Sequence, residues 1–381
     1  MRVLHLRAST GFAGPEQGLL RLGVALRDLG VTMKIIAYCR YRRARGDIGW
    51  LMEEGHRRQL AIEYWEDRGK LPLADIGRLA DTIREGRYDV LVTHDHKSDL
   101  MGYLATRRGG IPWIAAPHGY DFSLKRMHLY RRLDVWLLRR ADRVLPVSRW
   151  LQDELVGAGV PRARTVVVRN GIDVAAFAAA ATERSVEWRR RLGHEAGPVV
   201  VSVGRLERGK GFDDLIEAAV DVVRVTPSVR FWIVGAGPLG PRLERQIKAL
   251  AMRETVLLVG PQRDVAGIMA AADVVVISSK REALPNVLIE ALALARPVVG
   301  TAVGGIPEIV RDNETGRLVA PGDTTALAGA ITTLLHDPTT AARLGAQGRE
   351  HVAGEFSAAR FAAANAAVYR EVVGTTRAGV S

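Results

Sequence analysis

Short β-branched runs alternate with helical stretches along nearly the whole chain, and the alternation runs through twice. In the first half the runs are "RVLHL", "VTMKIIAY", "DVLVTH", "PWIAAPH", "RVLPVS" and "TVVVRNG". Helical periodicity fills the gaps, as in "EQGLLRLGVALRDLG", where Leu19, Leu22, Val24 and Leu26 recur. After "NGID" comes "VAAFAAAATERSVEWRRRLGHEAG", which has no strand signal. The pattern then restarts with "PVVVSVG", "RFWIVGAG", "TVLLVG", "VVVISS", "PVVGTAVGG" and "GRLVA". Strands separated by crossover-length helices predict parallel sheets. The expectation is an α/β chain with two doubly wound, Rossmann-like domains facing across a cleft. The boundary falls near residues 178–197, giving residues 1–180, residues 181–355 and a helical tail, 356–381, that packs back on the first domain. The alanine-rich stretch from about residue 324 is helical and divided by Pro338. Ligands of doubly wound sheets bind beyond the C-terminal strand ends, which makes the cleft the default site.

A length of 381 residues suits two such domains. One cysteine, Cys39, excludes an internal disulfide framework and a cysteine-only metal site, as expected in a reducing cytoplasm. "MRVLHL" runs straight into strand-like sequence without a signal-peptide pattern, and no run reaches the roughly 18 apolar residues of a spanning helix. The expected location is cytoplasmic, with room for peripheral contact at the inner face of the cytoplasmic membrane. Charge is uneven. Residues 1–180 carry 30 basic and 20 acidic side chains, residues 181–381 carry 24 and 22. From Lys125 to Arg149 eight basic residues face only Asp134 and Asp142. Such a surface attracts anionic lipid, phosphorylated substrate or nucleic acid; solvated arginine-rich helices are the plain alternative. In "HLYRRLDVWLLRR", Leu129, Leu133, Trp136 and Leu137 form a helical stripe, expected in the core.

Two glycine loops and one acidic helix start carry the candidate chemistry. Gly204-x4-Gly209-Lys210 in "VSVGRLERGKGF" starts like a phosphate-binding P-loop, but Gly211 stands where that motif has its Mg²⁺-holding Ser or Thr. Gly235-x-Gly237-x2-Gly240 in "VGAGPLG" follows a strand like a dinucleotide fingerprint. The next strand, "LLVGPQR", lacks the carboxylate that would hold the ribose. Both nucleotide readings are set aside. The third pattern is "REALPNVLIEALALA": Pro285 suits the first turn of a helix, Glu282 precedes it and Glu290 lies inside it. A carboxylate in so apolar a helix needs a partner, either a buried hydrogen bond or a ligand hydroxyl. A helix start at Pro285–Val287, with Arg205 and Lys210 on the loop of the domain's first strand, makes a diphosphate site without metal.

In order and spacing these segments, with "GFAGPEQGLLRLGVAL", "PHGYD", "RVLPVSRWLQDEL", "VVVRNGID" and "NETGRLVAPGD", resemble the retaining GT-B glycosyltransferases of family 4, marked by Glu-x7-Glu. The resemblance covers essentially the whole chain. It implies that Arg205 and Lys210 hold a donor diphosphate and that Glu290 binds ribose hydroxyls. Glu282 would lie against the donor sugar, and Leu284, Pro285, Asn286 and Val287 would complete the phosphate cradle. It also implies that Gly14 lets the N-terminal domain approach the phosphates and that His118 sits by the sugar and acceptor. Tyr120 and Asp121 of the same "PHGYD", with His96, are the acceptor candidates. Relatives often read Gly-Gly-x-Glu where this chain reads Ala13-Gly14-Pro15-Glu16, so Pro15 removes an amide from that loop. His94 and His96 flank Asp95, and strand alternation would put both on one side, but no third metal ligand is evident.

The implied activity is hexosyl transfer from a nucleotide diphosphate-sugar to a glycan or lipid-linked acceptor. It retains the anomeric configuration and uses no metal or other cofactor. "EALPNV" lacks the Gly-Phe-Gly of many GDP-mannose users, which favours a UDP-sugar. Nucleic acid is not expected as a partner. The rival readings are a nucleotide-sugar epimerase or hydrolase of the same fold, and a nonenzymatic nucleotide- or nucleic-acid-binding protein.

Overall fold

The computed structural model describes residues 1–9, 14–39, 45–66, 73–118 and 128–378. It divides into two units: Met1–Gly171 with Ala358–Ser381, and Ile172–Ser357.

The first unit runs β1 (Arg2–Ala8), α1 (Gly14–Arg27), β2 (Thr32–Cys39), α2 (Arg45–Arg57), β3 (Ala61–Glu66) and α3 (Leu73–Glu85). It continues β4 (Val90–Thr93), α4 (His96–Gly109), β5 (Trp113–Ala115), α5 (His128–Leu138), β6 (Arg143–Val144) and α6 (Arg149–Gly157). The second unit holds α7 (Val174–Arg191), β7 (Val199–Val203), α8 (Phe212–Val225), β8 (Arg230–Val234), α9 (Gly240–Ala249), β9 (Val256–Gly260) and α10 (Val265–Ala270). Then come β10 (Val274–Ile277), α11 (Asn286–Ala293), β11 (Val298–Thr301), β12 (Arg317–Val319), α12 (Thr324–His336) and α13 (Pro338–Glu355); α14 (Ala358–Ala378) returns to the first unit.

Each unit is built on a six-stranded, all-parallel sheet, ordered β3-β2-β1-β4-β5-β6 and β12-β11-β10-β7-β8-β9. Central strands such as β4, β10 and β11 are buried at every position, because helices cover both faces; that is why they read as unbroken apolar runs. In each sheet the strand order reverses at one place, between β1 and β4 and between β7 and β10. Those two switch points are where a doubly wound sheet opens a crevice at its C-terminal edge.

The first unit's core joins Leu20, Ile35, Val90 and Ile114 to Phe361, Ala362 and Tyr369 of α14. The second is built around Phe231, Ile233, Val276, Leu215 and Ile331. Helix starts follow local chemistry. Asp173, Asp323 and Asp337 cap α7, α12 and α13 by accepting from the amides of Ala176, Ala326 and Thr340. Pro338 takes the first position of α13, where its missing amide has no partner to lose.

Four sequence expectations need correction. "TVVVRNG" is not a strand: Thr165 makes a single bridge to Val144. Val166 and Val168 donate to the carbonyls of Val144 and Pro146, but Pro146 has no amide to return and the ladder stops. The unanticipated strand β3 is an edge strand whose Glu63 ties it to Lys34 (2.7 Å) and Arg78 (2.8 Å), so it lacks the apolar signature. The chain divides at Gly171–Ile172, so α7 belongs wholly to the second unit. Finally, the stripe on α5 is split: Leu137 is buried, while Leu133 and Trp136 are 42% and 41% exposed. Val24 of α1 is likewise exposed.

Candidate functional site

At the second unit's switch point the loops after β7 and β10 interlock. Lys280 donates its amide to Gly209 O (2.9 Å), and Ser278 Oγ donates to Lys210 O (3.1 Å). Thr301 Oγ1 of β11 donates to Ser279 O (2.5 Å). Gly211 stands in the left-handed region (φ 62°), and a Cβ there would collide with the Ser278 carbonyl. Only glycine fits, which explains why the P-loop pattern lacks its hydroxyl residue. Gly235 (φ 141°) and Gly237 admit the backbone of Gly204 and Leu206, and Leu206 donates its amide to Ala236 O (3.0 Å). These glycines let one loop close-pack on another.

Lys210 ends the short 3-10 turn Arg208–Lys210, and its Nζ pairs with Glu282 Oε1. Glu282 also accepts from Ser279 Oγ (3.0 Å), and its backbone carbonyl accepts from the Gly305 amide (3.1 Å). Gly304 (φ 56°) has no room for a Cβ against that same carbonyl. The carboxylate is therefore fixed through its side chain and its backbone. Arg205 lies on the same β7 loop, but its side chain is 68% exposed and reaches Glu207 at 3.4 Å, not Glu282. Pro285 occupies the N-cap of α11 and no side chain caps that end. Asn286 and Val287 are the first helical positions, whose amides have no carbonyl within the helix to serve. Leu284 and Pro285 are buried beneath them, and Glu290 is buried in the helix itself.

In the first unit, Gly14 opens α1 and Pro15 takes its second position, where a missing amide breaks no helical hydrogen bond. Glu16 is buried and accepts from Arg7 Nε (2.8 Å) and Ser9 Oγ (3.2 Å), a pairing sequence reasoning missed. Asp95 was missed as well. It accepts from the amides of Ala8 (2.7 Å), Lys97 and Ser98 and from Tyr38 Oη (2.8 Å), pinning β1 and β2 to the start of α4.

β4 ends at Thr93, so strand alternation does not reach His94 and His96. His96 opens α4 and pairs through Nδ1 with Asp134 Oδ2 (2.8 Å); burial is the largest influence and opposes its charge, but Asp134, Asp99 and Asp95 together raise its pKa. His94 turns instead into a row of three rings. His94 Nδ1 lies 3.0 Å from His118 Nε2, and His94 Nε2 lies 2.8 Å from His5 Nδ1. Burial, followed by the charge of Arg7, holds His118 near pKa 3; burial alone does the same to His5. Nearby Asp99, fully buried beside Thr93 Oγ1 (2.5 Å), is pushed up to about 8 by desolvation. Tyr120 and Asp121 lie outside the described residues. Among the described residues no group of three His, Cys, Asp or Glu side chains is placed to hold a metal ion.

Elsewhere on this unit an open groove of about 1160 Å³ is lined by Arg107, Arg132, Arg139, Arg140, Arg164 and Trp136. The carboxylate in its lining, Asp142, accepts from the Trp113 amide (2.8 Å). Arg140 stacks on Trp136, 3.5 Å from the ring centroid.

Two family models match the chain: "Glycosyl transferase 4-like domain" over residues 13–171 and "Glycosyl transferases group 1" over residues 185–351. The chain is 31% identical over 308 residues to the alpha-maltose-1-phosphate synthase of Mycolicibacterium smegmatis, covering 74% of this chain and 79% of that protein. It is 33% identical over 259 residues to a GDP-mannose-dependent alpha-(1-6)-phosphatidylinositol monomannoside mannosyltransferase of the same organism, covering 66% and 68%. The crystal structure of Anabaena HepE in complex with UDP and glucose superposes with a TM-score of 0.85 at 23% identity, over 97% of this chain and all of that one. Two six-stranded parallel sheets, the spacing of Glu282 before α11 and Glu290 within it, and these matches agree: the chain is a glycosyltransferase and belongs to glycosyl transferases group 1, the family-4 enzymes of GT-B fold.

Proposed function

We propose that the chain is a retaining, metal-independent hexosyltransferase that moves a sugar from a nucleotide diphosphate donor to a glycan or lipid-linked acceptor. The observation that carries this is the set of charges at the second switch point: Lys210 beside Glu282, Arg205 on the same loop and the uncapped start of α11. Negative charge grows on the leaving diphosphate as the sugar bond breaks. Fixed cations and helix amides aimed there act without reorganising. Arg205 and Lys210 hold the diphosphate in this reading, and Gly14 is counted among the donor-binding residues. Asn286 and Val287 supply amides over the Leu284–Pro285 turn. Glu290 receives ribose hydroxyls, Glu282 lies by the donor sugar and His118 by the reacting centre. His96, Tyr120 and Asp121 are the acceptor side. The leaving phosphate takes the acceptor's proton on the same face, which gives retention.

A UDP-sugar is favoured by "EALPNV", and the Anabaena structure carries UDP; the mannosyltransferase relative makes GDP-mannose the necessary competitor. The same reading gives the arginine groove a role, peripheral contact with an anionic membrane that carries the acceptor. Five arginines beside an exposed tryptophan suit a lipid headgroup region. Among the described residues no helix is long and apolar enough to cross a membrane.

The test is incubation with UDP- and GDP-sugars, with and without acceptor extract, in buffer and in EDTA. Transfer of one sugar with its anomeric configuration kept, unaffected by EDTA, is the expected result. Turnover that chelation abolishes and Mg²⁺ restores would sink metal independence, and an inverted product would sink retention.

A further inference from the structure

The row of three hydrogen-bonded, nearly coplanar histidines in the first unit does not stop at His5. Its Nε2 lies 3.4 Å from Tyr369 Oη, and Tyr369 Oη donates to Asn365 Oδ1 (3.0 Å). Asn365 Nδ2 in turn donates to the Phe361 carbonyl (2.9 Å), which fixes the amide's orientation and leaves Oδ1 as the acceptor. The row thus runs from β1 and the ends of β4 and β5 into α14, joining residues 5, 94, 118, 365 and 369. Adjacent rings are nearly parallel, 5.1 and 5.2 Å between centroids. His5, Asn365 and Tyr369 are fully or almost fully buried, so each polar atom in the row must be served by a neighbour.

A row of neutral imidazoles has one proton for each link, so its direction is set at one end. Tyr369 has a single proton and gives it to Asn365. Its oxygen then accepts from His5 Nε2–H, and His5 Nδ1 is left to accept from His94 Nε2–H. His94 Nδ1 accepts from His118 Nε2–H, and the last free lone pair falls on His118 Nδ1. The reverse direction would require Tyr369 to donate across 3.4 Å to His5 and would leave Asn365 Oδ1 unserved. The Ala116 carbonyl near His94 favours its charged form, but burial outweighs it and the ring stays neutral. Among the described residues His118 Nδ1 has no hydrogen-bond partner, and His118 is the member that is partly exposed.

We propose that Asn365 and Tyr369, acting through His5 and His94, are positioning residues that fix His118 as the Nε2–H tautomer. His118 Nδ1 is thereby presented as a hydrogen-bond acceptor to a hydroxyl of the bound sugar or acceptor. This rests on the reading that His118 stands at the reacting centre. The row orients and does not conduct, because Asn365 Oδ1 takes no proton onward. Its burial also keeps the rings neutral, so His118 accepts a hydrogen bond without becoming the base.

The test uses the full chain, ¹⁵N-labelled, with the side-chain nitrogen shifts of His5, His94 and His118 assigned by single His→Asn variants. All three rings should show Nε2–H and bare Nδ1 near neutral pH. Asn365→Leu frees the Tyr369 proton to turn to His5, and the row should reverse to Nδ1–H. Tyr369→Phe should leave a mixture of tautomers. Both should lower kcat roughly tenfold, the size of one neutral hydrogen bond, with donor KM nearly unchanged. A His118 ring carrying its proton on Nδ1 in the unaltered protein would overturn the inference, whatever the variants do. So would shifts that stay the same in a folded Asn365→Leu or Tyr369→Phe protein. If His118→Ala leaves transfer intact while the shifts behave as expected, the placement of His118 at the reacting centre fails and the tautomer assignment survives.

Discussion

Lys210 and Glu282, 72 residues apart in the chain, pair across the loops that leave β7 and β10. The pair sits where the strand order of the second sheet reverses, and its two side chains are only 24% and 12% exposed. A cation assigned to a leaving diphosphate is thus also the partner that makes a half-buried carboxylate tolerable. Arg205, 68% exposed, carries no such second duty.

This difference separates catalysis from stability. Arg205→Met should lower kcat about 100-fold with little change in donor KM, by analogy with loss of one oxyanion donor, and should leave the melting temperature alone. Lys210→Met should match it in kcat and also lose about 1–3 kcal/mol of stability, because Glu282 is left uncompensated. Adding Glu282→Gln to Lys210→Met should recover the stability and not the rate. Arg208, exposed in the same turn, is the control and should be nearly silent. Arg208 proving as sensitive as Lys210, in steady-state kinetics and thermal melts, would show the clamp to be misassigned.

Gly211 gives a second test on the same loop. Gly211→Ser restores the hydroxyl residue of a P-loop in sequence but needs a Cβ at φ 62°, against the Ser278 carbonyl. The left-handed conformation alone costs roughly 1–2 kcal/mol for a residue with a Cβ, and the collision adds to it. A melting temperature several degrees lower, with no gain in Mg²⁺ dependence, is expected. A variant as stable as the parent would mean that this loop is not held as described.

Much of this was legible in the sequence, and the failures have physical causes. Strands covered on both faces, such as β10 and β11, are unbroken apolar runs that announce themselves. β3 hides because an edge strand carries Glu63 and Glu66. "TVVVRNG" misleads because β-propensity says nothing about Pro146 on the neighbouring segment. Of the residues proposed for the donor site, Glu282, Glu290, Arg205 and Lys210 share one family motif set and could be named together from the sequence. His5, Tyr369 and Asn365 could not. They meet only because α14 returns to the first unit's core, and no local pattern links residue 5 to residue 369.

The arginine groove predicts salt-sensitive binding to anionic vesicles. Each arginine near an anionic surface contributes about 1 kcal/mol, and the attraction fades as the Debye length shrinks to about 8 Å at physiological salt. Replacing Arg132, Arg139 and Arg140 together by Gln should weaken flotation with phosphatidylserine vesicles by a hundredfold or so. Trp136→Ala should weaken binding to neutral and anionic vesicles alike. Full binding by the triple variant would remove the groove from any membrane role.

The buried titrating groups of the first unit set a pH optimum of stability. His5 and His118 are held near pKa 3 against an ordinary 6.5, and His94 is lowered as well. Between about pH 3 and 6.5 the unfolded chain takes up protons these rings refuse, so stability is full above that window and falls as pH drops through it. Asp99 works the other way. Its carboxyl is raised from 3.8 to about 8, so the folded chain keeps a proton the unfolded chain has released, and stability falls as pH rises through that range. His96, raised by Asp134 despite its burial, adds to the alkaline loss. Below 6.5 three histidines outweigh one aspartate; above it only the alkaline losses remain. Stability should therefore peak near pH 6.5. His5 alone accounts for roughly 1.5 kcal/mol of the fall between pH 6.5 and 5. Denaturant melts at pH 5, 6.5 and 8 check the shape, and Asp99→Asn should flatten the alkaline side while leaving the acid side in place. Stability that holds level or rises from pH 6.5 to 5 would mean that the three rings are not kept neutral by burial.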